Sequence, residues 1–264
     1  MSSHEFVTKP KMANSSSDRY KQEKLYESWM NNQQEELKEL QNFIIRARNS
    51  STNDVELHEL LQKIMGNFQG YVNGRSQLAR VDVSPFYAPT WCTPLENSVL
   101  WIGGCRPSSF IRHIYALSGI EIESRIAEYL QGIKIGDFGQ LSAKQITMID
   151  KLQRQIIIEE NKLSSRLASL QEDVVDQPIA MAAKICDRIE QAGESEKEPL
   201  NKLGEDMANL LEEADELRMK SLKEILGILT PIQGVEYLVA AKRIRLCLQQ
   251  WGKKREQEHN SNSN

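Results

Sequence analysis

Apolar residues recur at helical spacing along most of the chain. Tyr26, Trp29, Leu37, Leu40 and Ile44 form one stripe, and Leu57, Leu60, Leu61, Ile64 and Phe68 form a second, with the polar run from Asn49 to Asn53 between them. Residues three, four and seven apart share one face of an α-helix, so this spacing predicts two amphipathic helices. The pattern stops at SPFYAPTWCTP (84–94). Its three prolines remove backbone donors and disfavour helix in the residue before each. Phe86, Tyr87 and Trp91 need burial, which predicts an ordered connection rather than a flexible linker. Thr93, Pro94 and Glu96 read as cap, first helical position and capping-box partner of a further helix, which Gly103 and Gly104 then end. Pro107 opens the next helix, SSFIRHIYAL, and Gly119 closes it; EIESRIAEYLQGI predicts a short helix beyond.

After the turn GDFGQ, Ser142 and Gln145 spell a second capping box, followed by Ile149, Ile156, Leu163 and Leu170 every seven residues. Pro178 interrupts the pattern, another helix runs to about Ala192, and GESEKEP (193–199) reads as an exposed charged connection. Leu203, Met207, Leu210, Ala214, Leu217 and Ile225 share one face of a second long helix. Thr230, Pro231 and Gln233 repeat the capping signature and start a final helix that runs through Trp251 into the basic stretch GKKRE. No strand pattern competes. The expected fold is all-α: a single compact bundle of about seven to nine helices over residues 19–256, with residues 1–18 and 257–264 too polar to bury and assigned to disordered tails.

Composition narrows the function classes. Hydrophobic residues make up 40% and charged residues 27% of the 264, and 8 prolines with 14 glycines leave few breaks, which favours long helices. A formal charge of −4 supplies no whole-molecule attraction to nucleic acid or an anionic membrane. The chain has no run of apolar residues long enough for a membrane span and no signal-peptide pattern, so the expected location is the nucleus and cytoplasm. Cys92, Cys105, Cys186 and Cys247 are scattered, without zinc-site spacing, and read as reduced thiols.

Few residues offer catalytic chemistry. Of four histidines, only His58 and His113 fall on predicted helices, and His113 beside Ile114 and Tyr115 reads as a half-buried, hydrogen-bonded core residue. Asp137-Phe138-Gly139 copies a kinase triplet, yet no glycine-rich phosphate loop or catalytic loop accompanies it, so it reads as a turn. Gly103-Gly104 before Arg106 could bind an anion through backbone N–H groups, but reads first as a tight turn between helices. The repeat of the 149–170 helix lacks a preceding basic region, and core packing explains it. The last helix combines Leu238 and Trp251 with Lys242, Arg243, Arg245, Lys253, Lys254 and Arg255, a basic amphipathic pattern that can address calmodulin or an anionic surface.

Four blocks resemble the plant Delay of Germination family, whose domain also occurs in TGA-type bZIP transcription factors. They are YESWMNNQQEELKEL, YAPTWCTPLENSVLWIGGCRPSSFIRHIYAL, LSSRLASLQEDVVDQPIA and ILTPIQGVEYLVAAKRIRLCLQQWGKKRE, spanning roughly residues 20–256. The resemblance implies a non-enzymatic regulator of seed dormancy, germination or abscisic acid responses, working through protein contacts with type 2C protein phosphatases as partners. Tyr26, Trp29 and Met30 match the early aromatic block and are the residues expected to touch such a partner, although their spacing also suits a buried face. The family's haem-associated histidine positions hold Arg245 and Gln249 here, neither a normal axial ligand, so no haem is expected. The residues ahead of the shared domain hold no basic region or zipper, so direct DNA reading is not expected. The rival expectation is a transcription-associated domain or a bundle sensing a small apolar ligand; a homodimer is compatible with either.

Overall fold

The computed structural model describes residues 15–49, 54–119, 141–174 and 194–262. Among them are eight helices and one isolated β-bridge, between Trp101 and Gly104. Helices α1 (Ser15–Asn49) and α2 (Asp54–Ala79) form an antiparallel hairpin, laced by Arg46–Glu56, Lys63–Glu39 and Asn67–Glu36. Two single-turn helices, α3 (Ser84–Tyr87) and α4 (Pro94–Asn97), lie within the proline-rich connection. Then come α5 (Ser108–Ser118), α6 (Ala143–Asp173), α7 (Glu194–Ile228) and α8 (Pro231–Asn262). The pairs Arg80–Glu212 and Arg75–Asp215 set α7 antiparallel to α2, and Arg245–Tyr26 with Lys242–Glu36 set α8 antiparallel to α1.

Local sequence fixes three of the helix starts. Thr93 accepts from the Glu96 amide while the Glu96 carboxylate accepts from the Thr93 amide, and Ser142 and Gln145 make the same reciprocal pair. Thr230 and Gln233 do so again at α8. Gly119 ends α5 at φ 70°, a left-handed conformation that suits glycine.

Four expectations are corrected. The helix begun at Pro94 is one turn long rather than reaching Gly103, because the chain must turn back at Trp101–Gly104 to meet α2 and α7. The charged stretch 194–199 belongs to α7, with Pro199 inside the helix, because its Glu and Lys residues are good helix formers and one proline near a helix start removes a single internal bond. Residues 15–18 begin α1, where Asp18 sits in the first turn and pairs with Lys21. Residues 257–262 continue α8, extending a packed helix at low cost. The short helix expected over 121–133, the GDFGQ turn, Pro178 and the helix before Ala192 lie outside the described residues.

The heptad positions of α6 face inward. Ile149, Ile156 and Leu163 are buried, and Leu170 packs at the edge. The largest core joins Leu40 and Phe43 of α1, Leu57 and Ile64 of α2, Ile111 and Ile114 of α5, Ile149 of α6, Ile225 of α7 and Val235 of α8. Each such side chain contributes about 1.5–3 kcal/mol on burial. A second core gathers Phe86, Ile102, Leu163, Leu210, Leu211 and Ala214 under the proline-rich connection. A small third one holds Tyr26, Met30 and Leu246 between α1 and α8.

Candidate functional site

Buried charges run between these apolar cores, and they organise the part of the molecule that the aromatic connection caps. Arg75 of α2 grips Asp215 of α7 with two parallel bonds, Nε to Oδ2 at 2.9 Å and Nη2 to Oδ1 at 2.7 Å. Arg218, one turn along α7, donates to the same Oδ1 at 2.7 Å. The remaining guanidinium donors meet carbonyls of one turn: Arg75 reaches Gly103 O (2.6 Å), and Arg218 reaches Trp101 O (2.5 Å), Ile102 O (2.9 Å) and Cys105 O (2.7 Å). Two cations sharing one carboxylate are offset by four backbone oxygens, which is how buried guanidinium groups stay satisfied. Burial disfavours the Arg75 charge, but Asp215 and Tyr71 outweigh it and hold its pKa above the ordinary value.

This arrangement settles the reading of Gly103-Gly104. The turn aims carbonyls, not N–H groups, at its charged partners, so it binds cations of the protein itself. Ile102 and Gly103 both adopt positive φ, 44° and 64°. Ile102 is buried, and a β-branched residue in that conformation persists only where its surroundings over-determine it. A β-carbon on Gly104 would stand 2.8 Å from Arg218 Cζ, and one on Gly103 2.9 Å from Phe86 O. Arg106 is engaged elsewhere, ion-paired to Glu160 at 3.4 Å and placed over the Trp101 ring. Glu160 also accepts the Ser108 amide, capping α5 where Pro107 has no side chain to do so.

A second centre lies between α1, α4 and α8. Glu96 accepts at Oε1 from Tyr26 Oη (2.8 Å) and forms an ion pair there with Arg245 Nη2 (2.9 Å), while its Oε2 accepts from the Thr93 amide (3.0 Å) and hydroxyl (2.9 Å). Arg245 also donates to Tyr26 Oη at 2.8 Å. Burial raises the Tyr26 pKa, outweighing the pull of Arg245, and burial likewise raises the Cys92 thiol alongside. Burial disfavours the Arg245 charge, but Tyr26 and Glu96 outweigh it and hold its pKa above the ordinary value. Trp29 stacks on Tyr71 at 4.7 Å with Arg245 above its ring.

The third centre joins α1 to α8 one layer further along. Lys242 donates to Gln33 Oε1 at 2.9 Å and to Glu36, which also accepts from Asn67 at 2.7 Å. Burial lowers the Lys242 pKa and Glu36 opposes that shift.

The residues expected to bind partners are therefore split by depth. Tyr26 and Met30 are interior and Trp29 is half-buried beneath α8. Leu238 is buried, Lys242 and Arg245 point inward to carboxylates, and Arg243 is half-buried. Trp251 is 45% exposed, and Lys253, Lys254 and Arg255 stand in solvent beyond it. Arg245 and Gln249 offer no axial ligand for haem iron, and Arg245 is occupied by Glu96 and Tyr26. His113 packs against the Tyr237 ring at 5.3 Å, and its Nε2 has no hydrogen-bond partner among the described residues, against the bonded core histidine expected from sequence. Burial lowers its pKa to about 4. No group of three or more His, Cys, Asp or Glu suited to a metal occurs among the described residues. At the opposite end, a cleft of about 660 Å³ opens beside Val55, Leu61, Leu226, Leu229 and Pro231, with His58, Glu59 and Gln62 exposed on its rim.

The described residues thus form a helical bundle in which buried charges join helices and hold one turn. Residues 33–116 match the family model described as seed dormancy control. The chain is 39% identical over 240 residues to Protein DOG1-like 3 of Arabidopsis thaliana, covering 88% of this chain and 84% of that protein. It is 38% identical over 243 residues to Protein DOG1-like 2 of the same plant, covering 89% and 91%. Transcription factor TGA2.3 of Oryza sativa subsp. japonica is 25% identical over 232 residues, 86% of this chain and 63% of that protein. This chain belongs to the DOG1-like family of seed dormancy control.

Proposed function

We propose that the protein regulates dormancy, germination or abscisic acid signalling by binding other proteins, type 2C protein phosphatases among them, in the nucleus and cytoplasm. The observation that carries this reading is the use made of the buried ionisable groups. Arg75, Asp215, Arg218, Glu96, Arg245, Glu36 and Lys242 all serve to join helices or hold a turn. What such a scaffold offers a partner is shape and surface, not a reaction centre. Membership of a dormancy-control family supports the biological setting. Affinity capture of the full chain from imbibed seeds, with co-purifying proteins identified by mass spectrometry, tests it. Recovery of type 2C phosphatases is the expected result, and a capture dominated by chromatin components without phosphatases would favour the transcription-associated reading that the TGA relatives suggest.

A further inference from the structure

The two halves of α8 are held by different physics. From Gln233 to Val239 every residue is buried, and Val235, Tyr237, Leu238 and Val239 belong to the main core. Beyond Ala240 the helix rests on α1 and α4 through Lys242–Glu36, Arg245–Glu96, the lone buried Leu246 and the close approach of Gly252 to Thr93. Unmatched polar atoms lie along this outer half, as His113 Nε2 does against Tyr237 of the inner half. Trp29 Nε1, Arg245 Nε, Gln22 Oε1 and Asn97 Oδ1 are buried and have no hydrogen-bond partner among the described residues. A sector with few apolar contacts and unsatisfied polar groups opens at lower free energy than the rest of a fold.

Lifting this half would uncover Tyr26, Trp29 and Met30 beside Cys92, a strip of aromatic and aliphatic surface with the Glu96 carboxylate set in it. Glu96 would then lose Arg245, the one cation paired with it among the described residues, while keeping its Thr93 and Tyr26 donors. A recessed carboxylate flanked by apolar side chains selects an occupant that brings a positive charge on an apolar face. We propose that the seat under the outer half of α8 is a concealed docking groove for an amphipathic partner helix carrying an arginine beside an aliphatic residue, as Arg245 and Leu246 do in the resident helix. Helix-in-groove binding of this kind reads apolar anchors at helical spacing. The proposal rests on the reading of the protein as a contact-driven regulator, and it assigns the Tyr26 face to a state in which α8 has moved.

The probe is a fluorescein-labelled peptide of residues 238–256, titrated onto full-chain protein by anisotropy. Arg245→Gln loosens the resident helix and leaves Glu96 wanting a cation, so this variant should bind the peptide at least about tenfold more tightly than the wild type, a difference of about 1.4 kcal/mol. A peptide that itself carries Arg245→Gln should lose that gain, as should protein that also carries Glu96→Gln. In the wild type, hydrogen exchange should show amides 243–256 opening well before 233–239, with alkylation of Cys92 following the same opening. An Arg245→Gln protein of unchanged helix content that takes up no peptide overturns the proposal. So does wild-type exchange that is uniform along α8, which decides the matter if the variant fails to fold. Peptide uptake without phosphatase binding would leave the groove standing and remove the phosphatase reading, whereas phosphatase binding with uniform exchange would do the reverse.

Discussion

Gly252 of α8 approaches Thr93 so closely that a β-carbon added to it would stand 2.1 Å from Thr93 Oγ1 and 2.7 Å from Thr93 Cβ. The threonine is itself locked by the capping box with Glu96, which Arg245 holds from the other side. One missing methyl group therefore lets α8 cross the start of α4.

Gly252→Ala should destabilise the protein by about 1–3 kcal/mol although alanine is the better helix former, because the added β-carbon meets a threonine held by its capping box. Gly66 in α2 meets nothing within 4 Å, and Gly66→Ala should stabilise by about 0.5–1 kcal/mol. Urea unfolding of the two variants checks the opposite signs.

Asp215→Ala should cost about 3–5 kcal/mol, because it leaves two buried guanidinium groups facing each other and the carbonyls of the Trp101–Cys105 turn. Denaturation should show the loss, and Trp101 emission should shift as the turn relaxes.

Lys242→Met strands the Glu36 carboxylate with one amide donor and should destabilise by about 3–5 kcal/mol. Adding Glu36→Leu should recover most of the loss, since an apolar pair of similar volume removes the unpaired charge. A double-mutant cycle by chemical unfolding measures the coupling.

His113 titrates at about 4 in the folded chain because burial disfavours its charged form, against about 6.5 when unfolded. A depressed histidine pKa means the unfolded state takes up the proton first. Stability is thus full above pH 6.5 and falls as pH drops from 6.5 toward 4, by roughly 3 kcal/mol from this group. His113→Phe should flatten that part of the profile relative to wild type, measured by unfolding at pH 7.5 and 4.5.

Much of this fold could be read from short stretches of sequence. The caps at Thr93, Ser142 and Thr230 were legible because a capping box needs only four consecutive residues. The heptad face of α6 was legible because burial there is apolar and periodic. The charged belt was not. Arg75 and Asp215 are 140 residues apart and Lys242 and Glu36 are 206 apart, and a lone cation on a helix defaults to solvent until its carboxylate partner is placed. For the same reason Lys242 and Arg245 looked like part of a solvent-facing basic helix with Lys253, Lys254 and Arg255, whereas the structure turns the first two inward and leaves the last three in water. Ile102 gave no signal at all, since its positive φ is imposed by Arg218 and Arg75 gripping the carbonyls around it.

This bundle is proposed to work by engaging a partner protein. Isothermal titration of the purified full chain into a purified clade A type 2C phosphatase tests it directly. Saturable, stoichiometric binding with a Kd of about 1 μM or tighter, equivalent to about −8 kcal/mol, is the expected result. Absence of binding across a panel of such phosphatases, by protein that retains its helical spectrum and cooperative unfolding, would contradict it.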